Sequence, residues 1–127
     1  MKNSCLLDCN VVLDLISKRD RYLKIIGILE NYEKFYFSVN SYLNLFYILR
    51  RSGRTKQELQ MEVDFLQLLS STKEDCLTAI KIALKADDVE DCCEIMLAKD
   101  EDLDFITADK ELYLTYESIY SRIILVE

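Results

Sequence analysis

The stretch Cys5-Leu6-Leu7-Asp8-Cys9-Asn10-Val11-Val12-Leu13-Asp14-Leu15 decides how this chain folds. Its apolar opening is too short for a helix and reads as a buried strand over 4–8, ended by Asp8. Asn10 then caps a predicted helix reaching about Lys18, with Val11 and Leu15 turned inward. Further along, Leu23, Ile25, Ile26 and Leu29 recur at helical spacing over 21–31, and Phe35-Tyr36-Phe37-Ser38 reads as an aromatic strand. Leu43, Phe46, Tyr47 and Leu49 predict a helix over 40–51, stopped at Ser52-Gly53. Thr55 caps a helix running to about Leu69, Thr72 caps another over 73–84, and a short strand lies between them near 69–71. A helix over 88–98, a strand over 103–107, a helix over 110–116 and a closing strand over 123–126 complete the pattern. Short apolar strands separated by helices predict an α/β sandwich of four or five mainly parallel strands, covered on both faces.

The chain has 127 residues, 50% hydrophobic and 31% charged, with no proline, two glycines and no repeat or linker, so one domain over 1–127 is expected. No apolar run approaches the roughly 20 residues of a membrane-crossing helix, so no membrane partner is expected. Asp8 interrupts the N-terminal apolar run before a signal-peptide core forms. Five cysteines, odd in number and without a CxxC pair, fit buried reduced thiols; the expected location is the cytoplasm. Histidine is absent, which excludes imidazole triads, His-ligated metal sites and histidine acid/base catalysis. Any catalysis falls to carboxylates.

Ligands of an open parallel sheet bind beyond the carboxyl ends of its strands. Asp8 and Asp109 both follow strands at that edge. Asp91 joins them by geometry. The helix carries the chain about 10 Å away between 91 and 98 at roughly 1.5 Å per residue, and the strand returns it at about 3.3 Å per residue. If the first and fourth strands are neighbours, all three acids share one edge. Crowded carboxylates repel each other unless a cation neutralises them, and Mg²⁺ prefers such oxygen donors. Phosphodiester hydrolysis is the reaction this suggests, with Asn10 orienting a carboxylate or a water. The alternative for the acids of 88–91 is that they complement a helix dipole.

Four blocks resemble one family. Leu6-Leu7-Asp8-Cys9-Asn10-Val11-Val12-Leu13-Asp14-Leu15 resembles the opening of PIN domains, and Asp88-Val89-Glu90-Asp91 the Asp-Phe-Glu-Asp block of one bacterial branch. Leu103-Asp104-Phe105-Ile106-Thr107-Ala108-Asp109 is similar to the strand before the family's last acid, and 41–51 to its third helix. The resemblance implies a PIN-like α/β/α sandwich and a Mg²⁺- or Mn²⁺-dependent ribonuclease, most often the VapC-like toxin of a toxin-antitoxin pair. It also implies a homodimer and an antitoxin whose Arg or Lys inserts among the acids. Carried over by residue, Asp8, Asp91 and Asp109 are the metal-binding and catalytic acids, supported by Asn10 and Asp88. Asn44 stands where many members have a third-helix Glu, a loss for which Glu90 partly compensates. Cys9 replaces the usual Thr and Ala108 the usual Arg. These departures keep open a second expectation, a weak or inactive PIN-like interaction module.

The net charge of −7 is unfavourable for RNA, so the basic clusters decide that point. They are Lys18, Arg19 and Arg21 with Lys24, and Arg50, Arg51 and Arg54 with Lys56. The first lies about one helix length, on the order of 15 Å, from the acidic edge, within reach of phosphates flanking a scissile bond. The alternative is that both are solvated helix ends. Phe35, Tyr36 and Phe37 are expected in the core, and Leu45, Phe46, Ile48 and Leu49 inside or at a dimer interface. Tyr113, Tyr116 and Tyr120 are expected near the site loop or the closing strand. A receiver-type signalling domain has a similar size and acidic pocket, but it needs an acidic pair at the first strand and a phosphoacceptor Asp after the third, both missing here.

Overall fold

The computed structural model describes residues 3–19 and 21–127. Five strands, β1 (Ser4–Leu7), β2 (Lys34–Ser38), β3 (Leu66–Leu69), β4 (Asp104–Thr107) and β5 (Ile123–Leu125), form one sheet in the order β3-β2-β1-β4-β5. Every pairing is parallel. The helices are α1 (Cys9–Ser17), α2 (Tyr22–Leu29), α3 (Val39–Arg51), α4 (Lys56–Glu62), α5 (Lys73–Ile82), α6 (Val89–Asp100) and α7 (Lys110–Tyr116), with a 3-10 turn over Ala86–Asp88 before α6.

Strand side chains alternate between two cores, as the period of two requires. Cys5, Leu7, Phe37 and Ile106 pack with Val11, Val12, Ile25 and Leu45, whereas Leu6, Phe105 and Ile123 pack with Ile95, Leu97, Leu112 and Tyr116 on the other face. Burial on both faces explains why the central strands read as apolar runs. The chain builds β1, β2 and β3 outward in one direction, then crosses to the other side of β1 for β4 and β5. Such a reversal opens a crevice at the carboxyl ends of the two strands that flank it, β1 and β4.

The structure corrects the sequence expectation at the start of α1 and over 55–71. Helix α1 starts at Cys9, and Asp8 rather than Asn10 is its cap, because the Asp8 side chain accepts from the Cys9 backbone N–H. Helix α4 does not run to Leu69. It ends at Glu62, and the chain returns as β3 at 66–69 instead of 69–71, because pairing with β2 satisfies a backbone that a longer helix would have taken. The expectation of buried reduced thiols holds for Cys5, Cys92 and Cys93; Cys9 is half-buried and Cys76 is exposed, and all five are free. Gly53, at φ 93, supplies the left-handed turn after α3. Among the described residues no helix is long and apolar enough to cross a membrane.

Candidate active site

The backbone N–H of Asp8 donates to the Ile106 carbonyl at 2.9 Å, extending the β1–β4 ladder by one residue. Pairing of Leu7 with Ile106 therefore sets Asp8 beside Thr107, and pairing of Leu6 with Tyr36 two residues earlier sets it beside Ser38. Ser38, Asp8 and Thr107 thus form one row across the carboxyl edge of the three central strands. Thr107 Oγ1 donates to Asp8 Oδ2 at 2.7 Å, and the Cys9 backbone N–H donates to Oδ1 at 2.8 Å. Burial pushes the Asp8 carboxyl above its usual range despite these donors, and the Asp109 charge adds to the rise.

Asp109 caps α7. Its Oδ1 accepts from the Leu112 backbone N–H at 3.1 Å, and its own N–H donates to Thr107 Oγ1 at 3.1 Å. Thr107 thereby holds two acids, one through its proton and one through its lone pair.

Asp91 lies in the first turn of α6. Burial, followed by the charges of Asp8, Asp109, Asp88 and Glu94, pushes its carboxyl up to about 7. The structure thus brings Asp8, Asp91 and Asp109 within electrostatic range of one another. Asp88, Asp91 and Asp109 line an open cavity of about 170 Å³, with Lys85, paired to Glu111 at 3.0 Å, on its wall. Asp88 accepts from the Tyr116 hydroxyl at 2.7 Å, and that hydroxyl accepts in turn from the Leu84 N–H at 3.2 Å.

The donor set suits a hard cation: all oxygen, and mutually repelling. Among the described residues no three acidic or thiol side chains form a ready-made metal cage. Mg²⁺ needs none, since it keeps several waters and takes only one or two carboxylates directly.

The family model of the PIN domain matches residues 5–117. The chain belongs to the PIN domain family. No curated protein matches it in sequence. Among solved structures, this PIN domain is similar to a chain of a toxin-antitoxin complex from Klebsiella pneumoniae, with a TM-score of 0.72 at 15% identity over 86% of this chain and 89% of that one. It is similar to VapC20 of Mycobacterium tuberculosis, a sarcin-ricin loop cleaving toxin, with a TM-score of 0.69 at 9% identity over 87% and 94% of the two chains. It is also similar to a chain of VapBC2 from Rickettsia felis, bound in that crystal to a fragment of its promoter DNA, with a TM-score of 0.64 at 16% identity over 96% of each. At these identities the likeness is one of fold.

Within the PIN domain the supporting residues separate. Asp88 stays at the cavity, whereas Asn10, Asn44 and Glu90 are exposed. A residue not singled out from sequence stands closer in. Glu94, one turn past Asp91 on α6, is only 5% exposed. Its Oε1 accepts from Ser38 Oγ at 2.7 Å and from Ser41 Oγ at 2.9 Å. Its spacing of three from Asp91 puts both on one helix face, which was the available signal; its burial was not visible in the sequence.

The basic clusters are partly committed. Arg19 and Arg21 approach the two oxygens of Asp14 at 3.6 and 3.7 Å, and with Lys24 and Glu127 they surround a cavity of about 410 Å³. Asp20, between them, lies outside the described residues, as do Met1 and Lys2 of the N-terminal reading. Lys18 caps α1 in a left-handed conformation. Arg50 donates to the Arg54 carbonyl, Arg51 lies 5.5 Å over the Tyr47 ring, and Arg54 pairs with Glu62.

Proposed function

We propose that this PIN domain, acting as one unit over 1–127, is a divalent-metal-dependent endoribonuclease of the cytoplasm and the toxin of a toxin-antitoxin pair. The observation that carries the reading is the convergence of three acids at the sheet's switch point: Thr107 bonds both Asp8 and Asp109, and Asp91 lines one cavity with Asp109. A Mg²⁺ or Mn²⁺ ion held there supplies Lewis acidity and neutralises charge in phosphodiester hydrolysis.

The chain's own groups prepare that centre. Thr107 and the Cys9 N–H orient Asp8, the α7 cap orients Asp109, and the first turn of α6 presents Asp91. Tyr116 anchors Asp88 at the mouth. Asn10 and Asn44 offer exposed amides to the substrate, and Glu90 adds charge at the rim. Lys18, Arg19 and Arg21, and in a second cluster Arg50, Arg51 and Arg54, are the cations that track RNA phosphates. The toxin-antitoxin assemblies among the structural neighbours support a protein antitoxin as partner, an Arg or Lys of which enters the acidic cavity. Leu43, Tyr47 and Ile48, exposed on α3, suit a homodimer contact.

RNA cleavage in Mg²⁺ or Mn²⁺ by the wild type and Asp91→Asn tests the reading. Cleavage lost in the variant, with unchanged circular dichroism, is the expected result; equal cleavage by both overturns it. One observation favours a second reading, an interaction module without turnover: Asn44, at the place of the family's Glu, is neutral and exposed. Absence of calorimetric binding at millimolar Mn²⁺ would select that reading.

A further inference from the structure

Glu94 is a buried acid with half of its carboxylate unaccounted for. Oε1 takes both serine hydroxyls, while Oε2 is buried with no hydrogen-bond partner. Among the described residues no Lys or Arg is paired with it. A buried carboxylate without a counter-charge is costly, so such a group persists where it has a function or a missing partner.

Its place identifies the partner. Ser38, which donates to Oε1, stands next to Asp8 in the row across the sheet edge, and Asp91 precedes Glu94 by one helical turn. Asp8 and Asp91 both sense its charge or impose theirs on it. A glutamine would serve the serine hydroxyls equally well, because its amide oxygen accepts the same two bonds. The negative charge therefore has another use.

We propose that Glu94 is the fourth acid of the divalent-cation centre, supplied by α6 in place of the acid that α3 lacks at Asn44. The proposal rests on the reading of Asp8, Asp91 and Asp109 as a cation site. Ser38 and Ser41 act as positioning residues: they occupy Oε1 and leave Oε2 to the ion or to a water in its shell.

Calorimetric titration of the full chain with Mn²⁺ tests this in wild type, Glu94→Gln and Asp91→Asn. The expected result is binding by the wild type and a Kd weakened roughly 10- to 100-fold in Glu94→Gln, the scale seen when a group supporting a metal site is lost. A Glu94→Gln Kd within twofold of wild type, with binding lost in Asp91→Asn, overturns this proposal alone. No binding by the wild type at millimolar Mn²⁺ overturns it together with the reading beneath it. A second measurement needs no variant to fold: the side-chain carboxyl carbon resonance of Glu94 in ¹³C-labelled wild type, followed through a Mg²⁺ titration. A shift saturating with the bulk binding curve supports the proposal, and a stationary resonance overturns it.

Discussion

Thr107 donates its hydroxyl proton to Asp8 at 2.7 Å, joining residues 99 positions apart, and accepts the Asp109 N–H with the same oxygen. One side chain at the end of β4 thus orients the acid that caps α1 and the acid that caps α7. Sheet register places that oxygen, so the relationship depends on the β1–β4 crossover as much as on the threonine.

Thr107→Val keeps the shape and removes both bonds. It should raise the Asp8 pKa further and cost about 1–3 kcal/mol of stability, the usual penalty for a buried polar group left unpaired. Urea unfolding at neutral pH measures the loss. A cost well under 1 kcal/mol would mean that water replaces the hydroxyl.

The metal-free protein should lose stability as pH rises from about 4 to about 7. Asp91 has its folded pKa raised from 3.8 to about 7, so across that window the native state binds the extra proton and each step up in pH favours unfolding. Asp8 and Glu94 shift in the same direction. Thermal melts in chelator at pH 5 and pH 8 should show the lower Tm at pH 8, with a smaller difference in Asp91→Asn. Mn²⁺ should reverse the trend, because binding requires the deprotonated acids.

Tyr116→Phe removes the donor to Asp88 and the acceptor of the Leu84 N–H while leaving the ring in the core. The expected cost is about 1–3 kcal/mol. Faster amide exchange at Leu84 and Asp88 than elsewhere in the variant would show that the bond holds the turn before α6. Uniform exchange would count against that role.

The thiols should separate by access. Cys76 is exposed, whereas burial pushes Cys93 up to about 11 and Cys9 up to about 12. Iodoacetamide on the native protein at pH 8 should label Cys76 first, read by peptide mass spectrometry, because alkylation follows thiolate and exposure. Early labelling of Cys9 would show that α1 opens beside Asp8.

The strands over 35–38 and 103–107 were legible because burial on both faces writes itself as an apolar run, and the acids at 8 and 109 because Asp8 directly follows such a strand and Asp109 comes two residues after one. The stretch 55–69 misled. Leu59, Val63 and Leu66 sit at helical spacing and are all buried, yet the last of them belongs to a strand. Local period cannot report that β2 has an unpaired edge waiting there.

By itself the sequence determined the parallel α/β architecture, the kinship of its motifs, and which three aspartates stand at strand and helix ends, since these follow from local period and chain geometry. Only the tertiary structure decided which carboxylates are buried, which hydroxyls hold them, and that Glu94 on α6, rather than exposed Asn44 or Glu90, is the acid enclosed beside Asp8 and Asp91. Burial and repulsion depend on neighbours brought in from distant parts of the chain, and no local pattern encodes those neighbours.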